Sequence, residues 1–199
     1  MHRFARIAVQ FAALLSLSAA LAAHAQTVQV YATAAPTYLT RLYTVNGSGA
    51  TTSSDYSGVW FVPPNAGFTL SSTKPGAVNW GLDFRGGPKL GTPGLGSFLV
   101  GAKMSVKPTA FHLKPYGQLS IGYLDQSHKT GSGASQVTSS QSYLGVELLG
   151  GVDYPVAHHF EIRIVEIGVG FTHYGVSTGS NTSPNPAILS LQSGLVWTH

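Results

Sequence analysis

The sequence predicts an all-β chain: a closed, eight-stranded, antiparallel up-and-down barrel that crosses a membrane with its strands. Three observations carry that prediction. The first is Tyr143 to Tyr174, which reads as two long strands folded around a four-residue turn, Val156 to His159. Leu144, Val146, Leu148 and Val152 fall on one face of the first strand; Gly145, Glu147, Gly151 and Asp153 fall on the other. That is period two, the mark of a strand whose faces meet different surroundings. The second is composition. Charged residues make up only 9% of the chain, against roughly 25% in ordinary soluble domains. The polar faces are mostly Gly, Ser, Thr and Gln, poor material for keeping a monomer in water. The apolar faces are therefore expected to meet lipid and the polar faces to fill a lumen. The third is the spacing of connections. Segments 46–57, 87–96, 126–140 and 176–186 are long and rich in Gly, Ser, Thr and Pro, whereas 72–76, 108–112 and 156–159 are short. Long loops at one end and short turns at the other are what such a barrel needs.

Residues 1–25 are read as a secretory signal peptide ahead of the barrel domain, 26–199. His2, Arg3 and Arg6 precede an uncharged stretch, and Ala23-His24-Ala25 forms an A-x-A cleavage site. The first strand is expected within Val28–Val45, bent or restarted at Pro36. The second, about Gly58–Ser71, has its pairing limited by Pro63-Pro64. In the third, Ala77–Gly86, Val78, Trp80, Leu82 and Phe84 oppose Asn79, Gly81, Asp83 and Arg85. The fourth, Ser97–Lys107, sets Phe98, Val100, Ala102, Met104 and Val106 against Gly101, Lys103 and Ser105. The fifth is Leu113–Asp125, with Leu119, Ile121 and Tyr123 opposite Tyr116, Gln118, Ser120 and Gly122. The hairpin supplies the sixth and seventh. The eighth, Ala187–Trp197, opposes Leu189, Leu191, Leu195 and Trp197 to Ser190, Gln192 and Gly194. Segment 126–140 is taken as a mobile surface loop.

Within the hairpin, Asp153 and Arg163 are expected to pair across the turn. Arg163 and Glu166 lie an odd number of residues apart, so they share a face only if a β-bulge adds a residue near Ile164-Val165. Without Arg3 and Arg6 the formal charge falls from +4 to +2. No basic stripe or stacking motif accompanies it, so no nucleic-acid partner is expected. Absence of Cys excludes disulfides and a lipoprotein anchor.

Four stretches, FLVGAKMSV at 98–106, KPYGQLSIGY at 114–123, LGGVDYPVAHHFEIR at 149–163 and SLQSGLVW at 190–197, carry a common pattern. It resembles that of the eight-stranded outer-membrane barrel domain of the OmpA and OmpX type. The stretches cover roughly the last hundred residues in the family's order, and GG-x-D with the later Arg is their most specific part. Trp197 stands where the family ends on an aromatic residue, although Thr198 and His199 follow it. The resemblance implies a closed barrel in a Gram-negative outer membrane, in contact with its lipid, and insertion by the barrel machinery with periplasmic chaperones. A monomer is expected. Members share no single activity.

Asp83, Arg85, Lys103, Lys114, Glu147, Asp153, Arg163 and Glu166 all fall on the expected lumen face. An eight-stranded barrel has an interior just wide enough for side chains. Four charges of each sign then favour a self-neutralising plug over an ion path. Trp80, Tyr123, Phe171 and Trp197 are expected as interface anchors. His173 with Ser177 resembles the dyad of the lipid A deacylases, but that family spaces the pair two residues apart, and no acidic residue follows Glu166. No catalytic residue is therefore assigned, and ester hydrolysis stands as the alternative. A secreted, soluble lipocalin-like binder is the other. His158 and His159 are adjacent, expected to point apart, and lack a third ligand, so neither metal nor cofactor is expected.

Overall fold

The computed structural model describes residues 27–40, 42–45, 51–56, 58–72, 78–91, 94–108, 111–130, 137–174 and 186–199. All regular structure in these residues is β. Strands β1 (Thr27–Ala34) and β2 (Thr37–Leu39) form one barrel strand interrupted at Ala35-Pro36. Strands β5 (Val59–Phe61) and β6 (Pro64–Ser71) form the next, interrupted at Val62-Pro63. The two interruptions lie side by side: Ala35 N–H donates to the Pro63 carbonyl at 3.1 Å, and Leu191 N–H to that of Pro36 at 2.9 Å. Proline removes a ladder donor, and the bare carbonyls are satisfied by neighbours.

The remaining six barrel strands follow in chain order. They are β7 (Val78–Gly87), β8 (Gly94–Val106), β9 (Lys114–Thr130), β10 (Val137–Ala157), β11 (Phe160–Tyr174) and β12 (Ala187–Thr198). Each pairs antiparallel with the next, and β12 pairs back with β1 (Gln29 opposite Thr198) and β2 (Ile188 opposite Leu39). The sheet is thereby a closed barrel of eight strands. Both described ends of the chain, with Lys107, Leu113 and the turn 158–159, lie at one end.

Asp153 lies opposite Arg163 while Val152 lies opposite Val165, so Ile164 is the extra residue of a bulge. The bulge turns Arg163 and Glu166 to the same side, as the sequence expects.

Segments read as loops contain strand. Gln126–Thr130 and Val137–Ser140 continue β9 and β10 in unbroken register, Val137 opposite Thr130. The expected mobile loop 126–140 is thus mostly hairpin, and only 131–136 lies outside the described residues. Likewise β4 (Thr51–Tyr56), within expected loop 46–57, pairs with β3 (Leu42–Val45) in a separate two-stranded ribbon. A polar hairpin beyond the barrel has no apolar face to reveal its alternation, so composition alone reads it as loop. The expected signal peptide, residues 73–76 of the expected turn 72–76, and Ser177 fall outside the described residues.

Candidate functional site: the barrel interior

The outside of the barrel is apolar. Leu82, Met104, Leu119, Ile121, Leu148, Ile162, Ile164, Ile167, Val169, Leu189, Leu191 and Leu195 are all exposed. Trp80 and Trp197 stand outward near the short-turn end, Tyr123 and Phe171 outward toward the loop end. Tyr123 donates to the Ser142 hydroxyl. The inside holds the charges. Asp83, Arg85, Lys103, Glu147, Asp153, Arg163 and Glu166 are each at most 4% exposed.

Glu166 lies at the centre of the interior set. Arg85 grips it with two nitrogens, Nη1 to Oε1 at 2.6 Å and Nη2 to Oε2 at 3.2 Å. Arg163 Nη1 donates to Oε2 at 3.3 Å, and the Tyr116 hydroxyl to the same oxygen at 2.6 Å. Asp83 is equally well bonded: it accepts from Tyr31 Oη at 2.9 Å, Thr69 Oγ1 at 2.7 Å, Gln118 Nε2 at 2.7 Å and Arg85 Nε at 3.0 Å. Arg163 also holds Asp153, Nε to Oδ1 at 3.0 Å, and its guanidinium lies 4.5 Å from the Tyr31 ring centre. These contacts join β1, β6, β7, β9, β10 and β11 across the lumen. Arginine suits the role because its planar fork bonds carboxylates in pairs and stacks on aromatic faces.

Two of the sequence-assigned residues stand apart. Lys114 sits at the short-turn end, part-exposed, and bonds Glu161 instead of the central set. Glu147 has Ser190 Oγ as donor to Oε1 and no cation within ion-pair distance among the described residues. Lys103 is in the interior, over the Tyr116 ring at 4.2 Å, with Asp153 at 3.7 Å. Close packing of the long side chains needs glycine opposite them. A Cβ at Gly151 would lie 2.4 Å from Tyr116 Oη.

Sequence reading missed Tyr31, Thr69 and Glu161 as members of the interior. Period two places Glu161 on the face of Arg163 and Tyr31 opposite Val30 and Ala32, so the signal was present. It also missed a second layer. Toward the loop end the lumen is filled by Leu39, Phe61, Leu95, Leu124, Tyr143 and Ile188, a buried apolar cluster. Leu149, expected on neither face, is 1% exposed and points inward beneath it.

His173 is exposed and outward, the side opposite its buried neighbour Thr172. His158 and His159 do not point apart: Nδ1 of one and Nε2 of the other are 3.0 Å apart, and the rings meet edge to face. A turn conformation brings together what a flat strand would separate. No group of three potential metal ligands occurs among the described residues.

No family model matches the chain, and no curated protein does. Solved structures do match. Neisserial surface protein A (NspA) superposes with a TM-score of 0.50 at 18% identity, covering 85% of this chain and 96% of that one. The chain has the fold of the small outer-membrane barrels. Ail, the attachment invasion locus protein of Yersinia pestis, superposes with a TM-score of 0.48 at 9% identity, over 87% of this chain and 98% of that one.

Proposed function

We propose that the protein is an integral outer-membrane barrel, exported by a cleaved signal peptide, with a closed lumen and a structural or surface-interaction role without catalysis. The observation that carries this is the inversion of the barrel: large apolar side chains outside, a bonded charge network inside. On β11 the outward apolar residues run from Phe160 to Phe171. Eleven steps of ~3.3 Å, tilted about 40°, give a belt of about 28 Å, enough to cover the roughly 25 Å apolar band of such barrels. Outward apolar surface of that extent in water would be an aggregation site.

Closure is supported by two layers in series. The ionic layer spans the lumen at Arg85, Arg163 and Glu166, and the apolar cluster of Leu39, Phe61 and Leu124 fills it toward the loops. Activity then resides in the loop end or in the barrel as a membrane element. Outer-membrane lipid and, during assembly, the insertion machinery and periplasmic chaperones are its partners. The test is reconstitution of purified monomer into a planar bilayer. No long-lived conductance steps are expected; stable steps would overturn the closed-lumen reading.

A further inference from the structure

At the short-turn end, below the ionic layer, the interior widens into a cavity of about 390 Å³. That is far more than the ~30 Å³ a single water occupies. Lys103 and Tyr116 form its inner part, Asn79 and Ser105 line its wall, and Lys107 and Lys114 stand at its rim. Its lining carries three ammonium groups against two carboxylates, Asp153 and Glu161. Both carboxylates already pair with a cation. Asp153 gives its two oxygens to Arg163 at 3.0 and 3.4 Å, and Glu161 bonds Lys114 through Oε1, while its Oε2 is buried without a partner among the described residues.

The donors are less well served. Lys103 is 4% exposed, yet among the described residues its ammonium has two acceptors, Gln29 Oε1 at 3.3 Å and Asp153 at 3.7 Å, beside the Tyr116 ring face. An ammonium can donate three hydrogen bonds, and a buried one left short of acceptors is costly. Lys107 has no carboxylate within ion-pair distance among the described residues, and neither the Asn79 amide nor the Ser105 hydroxyl has a side-chain partner there. The cavity therefore combines a positive excess with spare donors on several walls. The inner end is blocked by the Arg85–Glu166–Arg163 layer, so what enters leaves by the same way.

We propose that this vestibule is a dead-end binding site for the phosphate group of a small soluble molecule, held by Lys103 and Lys107 with Asn79 and Ser105. The three terminal oxygens of a phosphate ester accept from donors arriving from different walls, where a flat carboxylate would meet fewer of them. Phosphate alone leaves most of the volume empty, so a compact phosphate ester fills the site better. The site stands on the barrel geometry, whatever surrounds the barrel.

The test uses the full barrel in non-ionic detergent and follows backbone amide shifts of Ser105 and Lys107 by NMR. The probes are inorganic phosphate, glycerol phosphate and uncharged glycerol. Saturable shifts with both phosphates, tighter for the ester, and none with glycerol are expected. Lys107→Gln, at an exposed position, should weaken binding by about tenfold, the value of one charge-assisted bond. Lys89→Gln, near the opposite end, should leave it unchanged. Equal response to glycerol, no saturation with either phosphate, or equal losses for the two lysine variants would overturn the proposal. Conductance plays no part in these readouts: an open pore would sink the closed-lumen reading and the dead end with it, and would leave the phosphate site itself standing.

Discussion

Arg163 shows how a single side chain is fixed from several sides. It bonds Asp153 and Glu166 and lies over Tyr31 and Tyr116. Breaking a buried pair by removing one partner costs about 3–5 kcal/mol, less where water reaches. Asp153→Asn and Arg163→Met should each destabilise the barrel in urea unfolding, and the double variant should cost less than their sum. Arg163→Met should be the worse of the two, because it also strips a partner from Glu166. Strict additivity would mean the pair contributes no coupling. Glu147 behaves differently. Arg85, Arg163 and Lys103 already balance Asp83, Asp153 and Glu166, and among the described residues Glu147 bonds only Ser190. Glu147→Gln should therefore unfold within about 1 kcal/mol of the parent, whereas Glu166→Gln loses several kcal/mol. The adjacent glycines make a further contrast. Gly151→Ala puts a Cβ against a Tyr116 hydroxyl that Glu166 holds in place, and overpacking of this kind costs about 1–3 kcal/mol. Gly150→Ala meets nothing within 4 Å and should shift stability by no more than about 0.5 kcal/mol.

At the level of elements, the strands that alternate cleanly were legible, and those with two similar faces were not. β7, β8, β9 and β12 each set apolar against small or polar residues, so a period of two placed their sides correctly. Even the bulge was legible, because Asp153, Arg163 and Glu166 can share one lumen only if a residue is inserted. The apolar plug escaped for the same reason the rest was seen. Leu99, Leu124 and Leu149 face inward beside the outward Phe98, Tyr123 and Leu148, so alternation vanishes where the lumen itself is apolar. The β9–β10 arm escaped because Ser, Thr and Gln fill both of its faces. Its register carries Thr130 and Val137 past Tyr123 and Phe171, clear of the apolar belt. An epitope inserted at Gly133 should therefore be labelled on intact cells, and labelling only after permeabilisation would reverse the orientation. Deleting Ile164 should be far more damaging than any substitution there. It removes the bulge and drives Glu166 or Arg163 to the outer face. The expected readout is loss of the compact, heat-sensitive band on gels.

For the whole molecule, the deciding question is which solvent the outer face meets, and closure alone does not answer it. A closed antiparallel barrel can stand in water with an apolar lumen or in lipid with a polar one. Here the charged layer is inside and Leu119 and Ile121, on the outer face of β9, are 58% and 52% exposed. The two settings assign opposite consequences to the same substitution. In water, Ile121→Arg replaces an exposed apolar side chain with a soluble one and should change stability by about 0.5 kcal/mol or less. In a bilayer the same position lies midway between Tyr123 and Leu119 on the belt, and an arginine near the midplane costs about 2–4 kcal/mol. The effect should fade with depth: Val106→Arg, at the short-turn end of β8, should cost no more than about 1 kcal/mol. Equilibrium unfolding in lipid vesicles measures the series directly. A depth-dependent penalty peaking near Ile121 is expected; a flat series of near-zero changes would mean that the outer face is wet, and the membrane reading would fail with it.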